Sequence, residues 1–171
     1  LCLTFIEPPR HFDEALEMID QALALNAQAP FAHQTRGWIQ EQRHHLLGDP
    51  DGLGRAAEAY QAALSLLDAR TRPRAEADLL LNLGNVFYAL GNHRRAFQFY
   101  HRRQAREVPF ASPERRLVFL ERFGRSALLA DELPDAARTF SSAAALAREL
   151  DRPERLPRLV ASQAAIAQLK G

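Results

Sequence analysis

A small residue followed four positions later by a bulky apolar residue recurs along this chain at a nearly constant interval. The pairs are Ala15/Ile19, Ala56/Tyr60, Ala96/Tyr100 and Ala136/Phe140. Successive pairs are 41, 40 and 40 residues apart, a regularity that unrelated helical hairpins would not keep. A fixed interval of this size indicates stacked structural repeats, in which each repeat buries its apolar face against the next.

The central repeat, residues 79–109, shows the pattern most clearly. It predicts a helix with one apolar face, a break at Gly91-Asn92, and a second helix that Pro109 ends. Taken alone, this segment also fits an ordinary amphipathic hairpin. Since Gly84 and Ala96 carry little or no side chain, we expect the two helices to cross closely there. The residues expected around that contact are Leu83, Phe87 and Tyr100, and Leu80 lies on the same helical face as Leu83 and Phe87.

The order and spacing of these residues resembles the tetratricopeptide repeat, whose signature runs W-x2-L-G-x2-Y, then A-x3-F, then P. Leu80, Phe87 and Tyr100 stand where the family has Trp, Tyr and Phe. The interval exceeds the family's usual ~34 residues and resembles its longer variety, found in bacterial regulators and eukaryotic adaptor scaffolds. The residues that carry the resemblance are Ala15, Gly37, Ala56, Tyr60, Leu83, Gly84, Phe87, Ala96, Tyr100, Gly124, Ala136 and Phe140.

The resemblance implies an all-α fold, a right-handed α-solenoid of antiparallel helix pairs with about eight helices, as one domain over residues 1–171. We expect a lead-in over residues 1–12 and the second helix of a partial repeat over 13–29. A repeat with a long turn at Gly48–Gly54, and hence splayed helices, follows over 30–70. The central repeat covers 74–110, and another begins at Ser112-Pro113 and covers 113–153. Residues 154–171 predict a capping helix or half of another repeat.

Composition and charge narrow the function. Neither a membrane-spanning run nor a signal peptide is evident, and Cys2 alone forms no internal disulfide, so we expect a cytoplasmic location. Because the chain begins with Leu1, we interpret it as a piece of a longer protein. The net charge of +1 hides an asymmetry. Residues 1–70 carry ten acids and five arginines, whereas residues 91–125 carry nine arginines and three glutamates.

The resemblance also implies a concave groove lined by the first helix of each repeat. In peptide-clamp members of the family, Asn and basic residues there hold a partner's backbone and carboxylates. The predicted groove residues are Phe31, Gln34, Trp38, Asn82, Asn85, Tyr88, Arg122 and Arg125, with Asp78, Val118 and Glu121 beside them. We therefore expect a scaffold or regulatory module that binds a protein or peptide partner. An acidic partner would complement the arginines of the groove. An alternative is that these are merely exposed polar residues.

A second hypothesis assigns function to the arginine-rich band from Arg94 to Arg125. That band would bind nucleic acid or an acidic surface, or mediate self-association into a homo-oligomer. A pI of about 8.2 is modest for a nucleic-acid-binding domain, which argues against nucleic acid. No membrane partner is expected.

No residue set predicts an enzyme, a metal site or a cofactor. The segment Gly52–Ala57 fits G-x-G-x-x-A, but a helix rather than a strand is expected before it. Asp49 and Asp51 lack the other ligands of a calcium loop, and adjacent His44 and His45 would point about 100° apart on a helix. We therefore predict a non-enzymatic protein with no metal and no cofactor.

Overall fold

The computed structural model describes residues 8–169, and this part of the chain contains α-helices and no β-strand. The helices are α1 Pro8–Leu25, α2 Pro30–Leu47, α3 Gly52–Leu66, α4 Pro73–Ala89, α5 His93–Gln104, α6 Pro113–Leu129, α7 Leu133–Glu149 and α8 Leu156–Leu169. A short 3₁₀ turn, Pro153–Arg155, precedes α8. The predicted all-α class, with about eight helices, is confirmed for this range.

Proline marks the start of several helices. The first residues of α1, α2, α4 and α6 are Pro8, Pro30, Pro73 and Pro113. A proline at this position loses nothing, because the first amide groups of a helix have no intrahelical partner, and its fixed φ suits the helix. The predicted lead-in over residues 1–12 ends too late, because α1 already begins at Pro8 and residues 8–12 are helical. Residues 1–7 of that lead-in lie outside the described residues.

Polar side chains and glycines define the predicted breaks. Gly91 has a φ of 72°, and the Asn92 side chain accepts a hydrogen bond from the Arg95 amide at 3.1 Å. Ser112 Oγ accepts one from the Arg115 amide at 3.2 Å. These contacts satisfy amides that the helix itself leaves unpaired. The predicted break at Gly91-Asn92 and the predicted helix start at Ser112-Pro113 are both confirmed.

The helices form two compact units, with the boundary between Val86 and Phe87 inside α4. In the N-terminal unit, α1 packs on α2 and α2 packs on α3. In the C-terminal unit, α5 packs on α6, α6 on α7 and α7 on α8. Packing between sequence neighbours is the arrangement expected of an all-α helical repeat. The prediction that all of residues 1–171 form a single repeat domain stays a prediction.

The turn between α2 and α3 is shorter and tighter than its sequence predicts. Because α3 begins at Gly52, the turn is Gly48–Asp51, and the predicted long turn through Gly54 is corrected. A Cβ atom at Gly52 would lie 2.8 Å from the backbone oxygen of Gln40, so the two helices meet closely rather than splaying. Asp49, within the turn, binds the Arg55 guanidinium and lies 3.6 Å from Nε of Arg43.

Two glycines allow the helices of a pair to approach. A Cβ atom at Gly37 would lie 2.7 Å from the Tyr60 ring, and one at Gly124 would lie 2.9 Å from the Phe140 ring. Both rings are buried. Each glycine therefore meets the bulky member of the repeated pair rather than its alanine. The predicted contact between Gly84 and Ala96 stays a prediction.

Candidate functional site

A cavity of about 930 Å³ in the C-terminal unit is the most developed candidate site. Side chains of α6 and α8 line it, together with Phe140 of α7 and Tyr88 near the end of α4. Two of the predicted groove residues on α6, Arg122 and Arg125, are among them, as is predicted Tyr88. The structure thus brings together the C-terminal members of the predicted groove.

Part of this cavity is apolar. Phe140 and Leu159 are buried at its base, whereas Val118 and Leu129 are open to solvent, Leu129 with 55% of its surface exposed. Removing such side chains from water by covering them is favourable. The exposed leucine and valine are therefore suitable contacts for an apolar side chain of a bound molecule.

The rest of the cavity is predominantly cationic. It contains four arginines and two glutamates: Arg122, Arg125, Arg155, Arg158, Glu121 and Glu154. Arg155 donates to Glu121 at 2.8 Å, and this ion pair links the turn before α8 to α6. Among the described residues, no carboxylate lies within 4 Å of the guanidinium of Arg125 or Arg158. Since arginine stays protonated in proteins, these two side chains give the cavity a lasting positive charge.

Arg122 has a different environment from Arg125. Its guanidinium lies over the Tyr88 ring, 5.8 Å from the ring centre. A cation above an aromatic face is attracted by the ring's electrons, which helps to fix the orientation of the arginine. Arg122 and Tyr88 therefore form an ordered wall of the cavity, while Arg125 is exposed on the same helix.

Sequence reasoning missed the contribution of α8. Arg158, Leu159 and Ser162 of α8 line the cavity, with Arg155 of the turn before it, yet this segment was expected to be a capping helix or half of another repeat. Their spacing of three, four and seven residues is the signature of one helical face, so the signal was present in the sequence. What the sequence could not show was that this face lies opposite Arg122 and Arg125.

The other predicted groove residues belong to the N-terminal unit. Phe31 and Trp38 are exposed on α2, Trp38 with 54% of its surface accessible, and Arg72 lies 4.8 Å over the Phe31 ring. Gln34 is partly exposed on the same helix. Asn82 and Asn85 are partly exposed on α4, and Asp78 on α4 is exposed. These positions remain candidate contacts of that unit.

The arginine-rich band serves several roles rather than one. Arg103 is buried, donates to the Val108 carbonyl at 2.9 Å and lies 4.1 Å from the centre of the Phe110 ring, so it is part of the packing. Arg95 and Arg102 are exposed but lie over the rings of Phe87 and Phe99. Arg122 and Arg125 line the cavity instead. Arg103 therefore serves packing, while the hypothesis that the band binds nucleic acid or an acidic surface stays a prediction.

The residues considered for metal or phosphate chemistry have structural roles in the described part of the chain. No group of three His, Cys, Asp or Glu side chains there is placed to hold a metal ion. His44 Nδ1 lies 2.8 Å from the Asp49 carbonyl, within the turn. Gly52 follows helix α2 and a short turn, so the G-x-G-x-x-A match lacks the strand that a phosphate loop needs. None of the described helices has the length and apolar character needed to span a membrane.

Comparison with known proteins gives no family assignment for this chain. No protein-family model matches the chain, and no curated protein matches it. The tetratricopeptide interpretation therefore stays a prediction. The structure itself shows a repeated close approach of a glycine and a ring, at Gly37 with Tyr60 and at Gly124 with Phe140.

Proposed function

We propose that this chain is a tetratricopeptide-like, protein-binding module of a larger bacterial protein, and that its C-terminal unit binds an acidic segment of a partner. One observation carries the proposal. The cavity between α6 and α8 combines exposed apolar side chains with Arg125 and Arg158, neither of which has a carboxylate partner among the described residues. A segment that alternates acidic and apolar residues complements both features.

Carboxylates of the partner would pair with Arg125 and Arg158. Hydrogen bonds between a guanidinium and a carboxylate are short and often bidentate, and they are stronger than those between neutral groups. An apolar side chain placed between them would cover Leu129 and Val118, excluding water from the ion pairs. The arginines would select for acidic partners, and the apolar contacts would supply much of the affinity.

The N-terminal unit would contribute separately. Trp38 and Phe31 give it exposed aromatic surface, and Asn82 and Asn85 give it amide groups suited to a peptide backbone. Exposed aromatic residues are enriched where proteins bind one another. These residues are therefore separate candidate contacts of the N-terminal unit.

A charge-reversal experiment tests the cavity. The probe is a fluorescently labelled synthetic peptide in which glutamates flank leucines, compared with the same peptide carrying glutamine in place of glutamate. Arg125→Glu with Arg158→Glu should weaken binding of the acidic peptide by about tenfold or more, because each lost charged hydrogen bond is worth about 1.5–3 kcal/mol. The glutamine peptide should bind weakly to wild-type and variant proteins alike.

Arg94→Glu with Arg115→Glu provides the matched control. Both arginines are exposed, belong to the arginine-rich band and lie outside the cavity lining, and the change in net charge is the same. Binding to this control should match wild type. Equal loss in the two double variants would indicate non-specific attraction to the band and reject the cavity as the site.

A further inference from the structure

One face of α1 is exposed to solvent and carries both acidic and apolar side chains. With about 100° between successive residues, Glu14, Glu17, Met18, Gln21 and Leu25 fall within an arc of about 100°. Met18 has 70% and Leu25 has 91% of its surface exposed. Both glutamates are exposed as well. The outer face of α1, defined by these five residues, is therefore both acidic and apolar.

The remaining acids of α1 are already engaged with α2. Asp13 accepts a hydrogen bond from Arg43 at 2.8 Å, and Asp20 lies 3.4 Å from Arg36. These pairs lie at the flank where α1 packs on α2. Glu17 has no basic group within 4 Å among the described residues, and Glu14 has only the exposed His11 at 3.8 Å. Among the acids of α1, the two glutamates of the outer face are thus the ones available to another molecule.

The outer face of α1 has the chemistry that the cavity requires. Glu14 and Glu17 complement Arg125 and Arg158 in charge, and Met18 and Leu25 are suitable apolar contacts for Leu129. We propose that α1 of a second copy of this chain docks in the cavity between α6 and α8. The proposal rests on the proposed function, because it uses the same cavity and names a ligand for it.

Docking of this kind would regulate access to the cavity. A second copy and an acidic partner would compete for the same arginines, so each would weaken the apparent affinity of the other. Self-association would therefore protect the exposed Met18 and Leu25 until a partner with a better segment displaces α1. Apolar patches left exposed on a surface mark such interaction sites.

The mass of the wild-type chain in solution is the first test. Light scattering behind a sizing column, over a series of concentrations at low salt, should show a mass above that of the 19.2 kDa monomer at the high end. High salt should return it to the monomer, since salt screens exposed charges. A monomer at every concentration and both salt levels would overturn the proposal.

Two charge-reversed variants give a sharper test. Glu14→Lys with Glu17→Lys changes the helix, and Arg125→Glu with Arg158→Glu changes the cavity. Each variant alone should be monomeric at concentrations at least tenfold above those at which the wild type associates. Mixed together, they should associate again, because the lysine helix meets the glutamate cavity while the native helix meets the native cavity. No recovery in the mixture would reject this pairing.

Glu58→Lys with Glu149→Lys is the matched control for the helix variant. Both glutamates are exposed, lie on α3 and α7 outside the outer face of α1 and outside the cavity, and give the same change in charge. This control should associate as the wild type does. Circular dichroism of all variants should show unchanged helix content, which separates loss of contact from loss of fold.

The experiments also separate this inference from the proposed function. If the chain stays monomeric while Arg125→Glu with Arg158→Glu still abolishes binding of the acidic peptide, self-docking fails and the cavity remains the partner site. If that double variant binds the peptide as the wild type does, the proposed function fails, and the docking of α1 fails with it.

Discussion

In both units, helices that are neighbours in sequence pack on each other, but the arginines of the two units differ in their ion pairs. In the N-terminal unit, Arg43 binds Asp13 and lies near Asp49, Arg55 binds Asp49, and Arg36 lies near Asp20. In the C-terminal unit, Arg125 and Arg158 line a cavity, and no carboxylate of the described residues lies within 4 Å of either guanidinium. Charge that is satisfied within a fold stabilises it, whereas charge left open can recognise a partner. The comparison assigns a structural role to the paired arginines of the N-terminal unit and is the basis of the binding role proposed for Arg125 and Arg158.

Loss of either buried ring should have the largest effect and should be alike in both units. Tyr60→Ala and Phe140→Ala should each lower the free energy of unfolding by about 3–5 kcal/mol, because each leaves a large cavity opposite a glycine. Urea denaturation followed by circular dichroism measures this. The exposed Phe31→Ala is the control and should cost much less. A large loss of stability in only one of the two variants would show that the contacts of Tyr60 and Phe140 are not equivalent.

Filling the glycine positions should have an intermediate effect. Gly37→Ala and Gly124→Ala should each destabilise the fold by about 1–3 kcal/mol, since the new methyl group would overlap a buried ring. Gly54→Ala is the matched control, because nothing lies within 4 Å of its Cβ position and alanine favours helix by up to about 1 kcal/mol. The control should be neutral or stabilising. Stabilisation by all three changes would refute close contact at Gly37 and Gly124.

Neutralising single arginines should separate the two roles. Arg43→Gln should lower the free energy of unfolding by up to about 1 kcal/mol, the usual range for partly exposed ion pairs. Arg125→Gln should change stability by less than about 0.5 kcal/mol but should weaken binding of the acidic peptide. Denaturation and fluorescence anisotropy on the same samples test both. The opposite assignment, with stability lost at Arg125 only, would reverse the comparison.

The smallest effect expected is a pH dependence that arises in the turn between α2 and α3. Desolvation alone would raise the pKa of the Asp49 carboxyl, but the hydrogen bonds from Arg55 and the Asp51 amide, with the charges of Arg55 and Arg43, together lower it below its ordinary value. A carboxyl with a lowered pKa stabilises the fold above its ordinary pKa, and this contribution is lost as pH falls through the folded-state value. Near neutral pH, Asp49→Asn should therefore have a lower free energy of unfolding than the wild type. This difference should shrink as the pH falls through the folded-state pKa of Asp49, which denaturation at a series of pH values measures. A deficit independent of pH would contradict this.

A second titratable group shows the reverse situation. Tyr60 is buried, and its hydroxyl donates to Glu41 at 2.9 Å. Burial, the negative charge of Glu41 and this hydrogen bond all raise the pKa of Tyr60, so the phenol stays neutral throughout the physiological range. Tyr60 is therefore a packing residue anchored by one polar contact, in keeping with its place opposite Gly37.

The sequence predicted those features that depend on local spacing. The recurrence of Ala56/Tyr60 and Ala136/Phe140 located helices and buried rings, and Ser112-Pro113 located a helix start. These succeed because a helical face repeats every three to four residues and a cap needs only neighbouring atoms. Contacts between side chains that are distant in sequence leave no such local pattern.

The features that the sequence did not predict depend on contacts between helices. Gly52 looked like part of a long loop, yet it begins α3, and it lies so close to the Gln40 carbonyl that only a residue without a side chain fits there. Likewise, Arg158 reaches the cavity only because α8 packs on α7, where Gln163 donates to Ser141 at 3.0 Å. Such placements follow from tertiary packing, which overrides local propensity.

The most direct measurement of the binding role is an NMR titration that follows the guanidinium Nε–Hε signals of the arginines as the acidic peptide is added. We predict that the signals of Arg125 and Arg158 shift with saturation, while those of exposed Arg94 and Arg115 stay in place. Shifts confined to Arg94 and Arg115, or no shift at Arg125 and Arg158, would contradict the assignment of the cavity as the partner site.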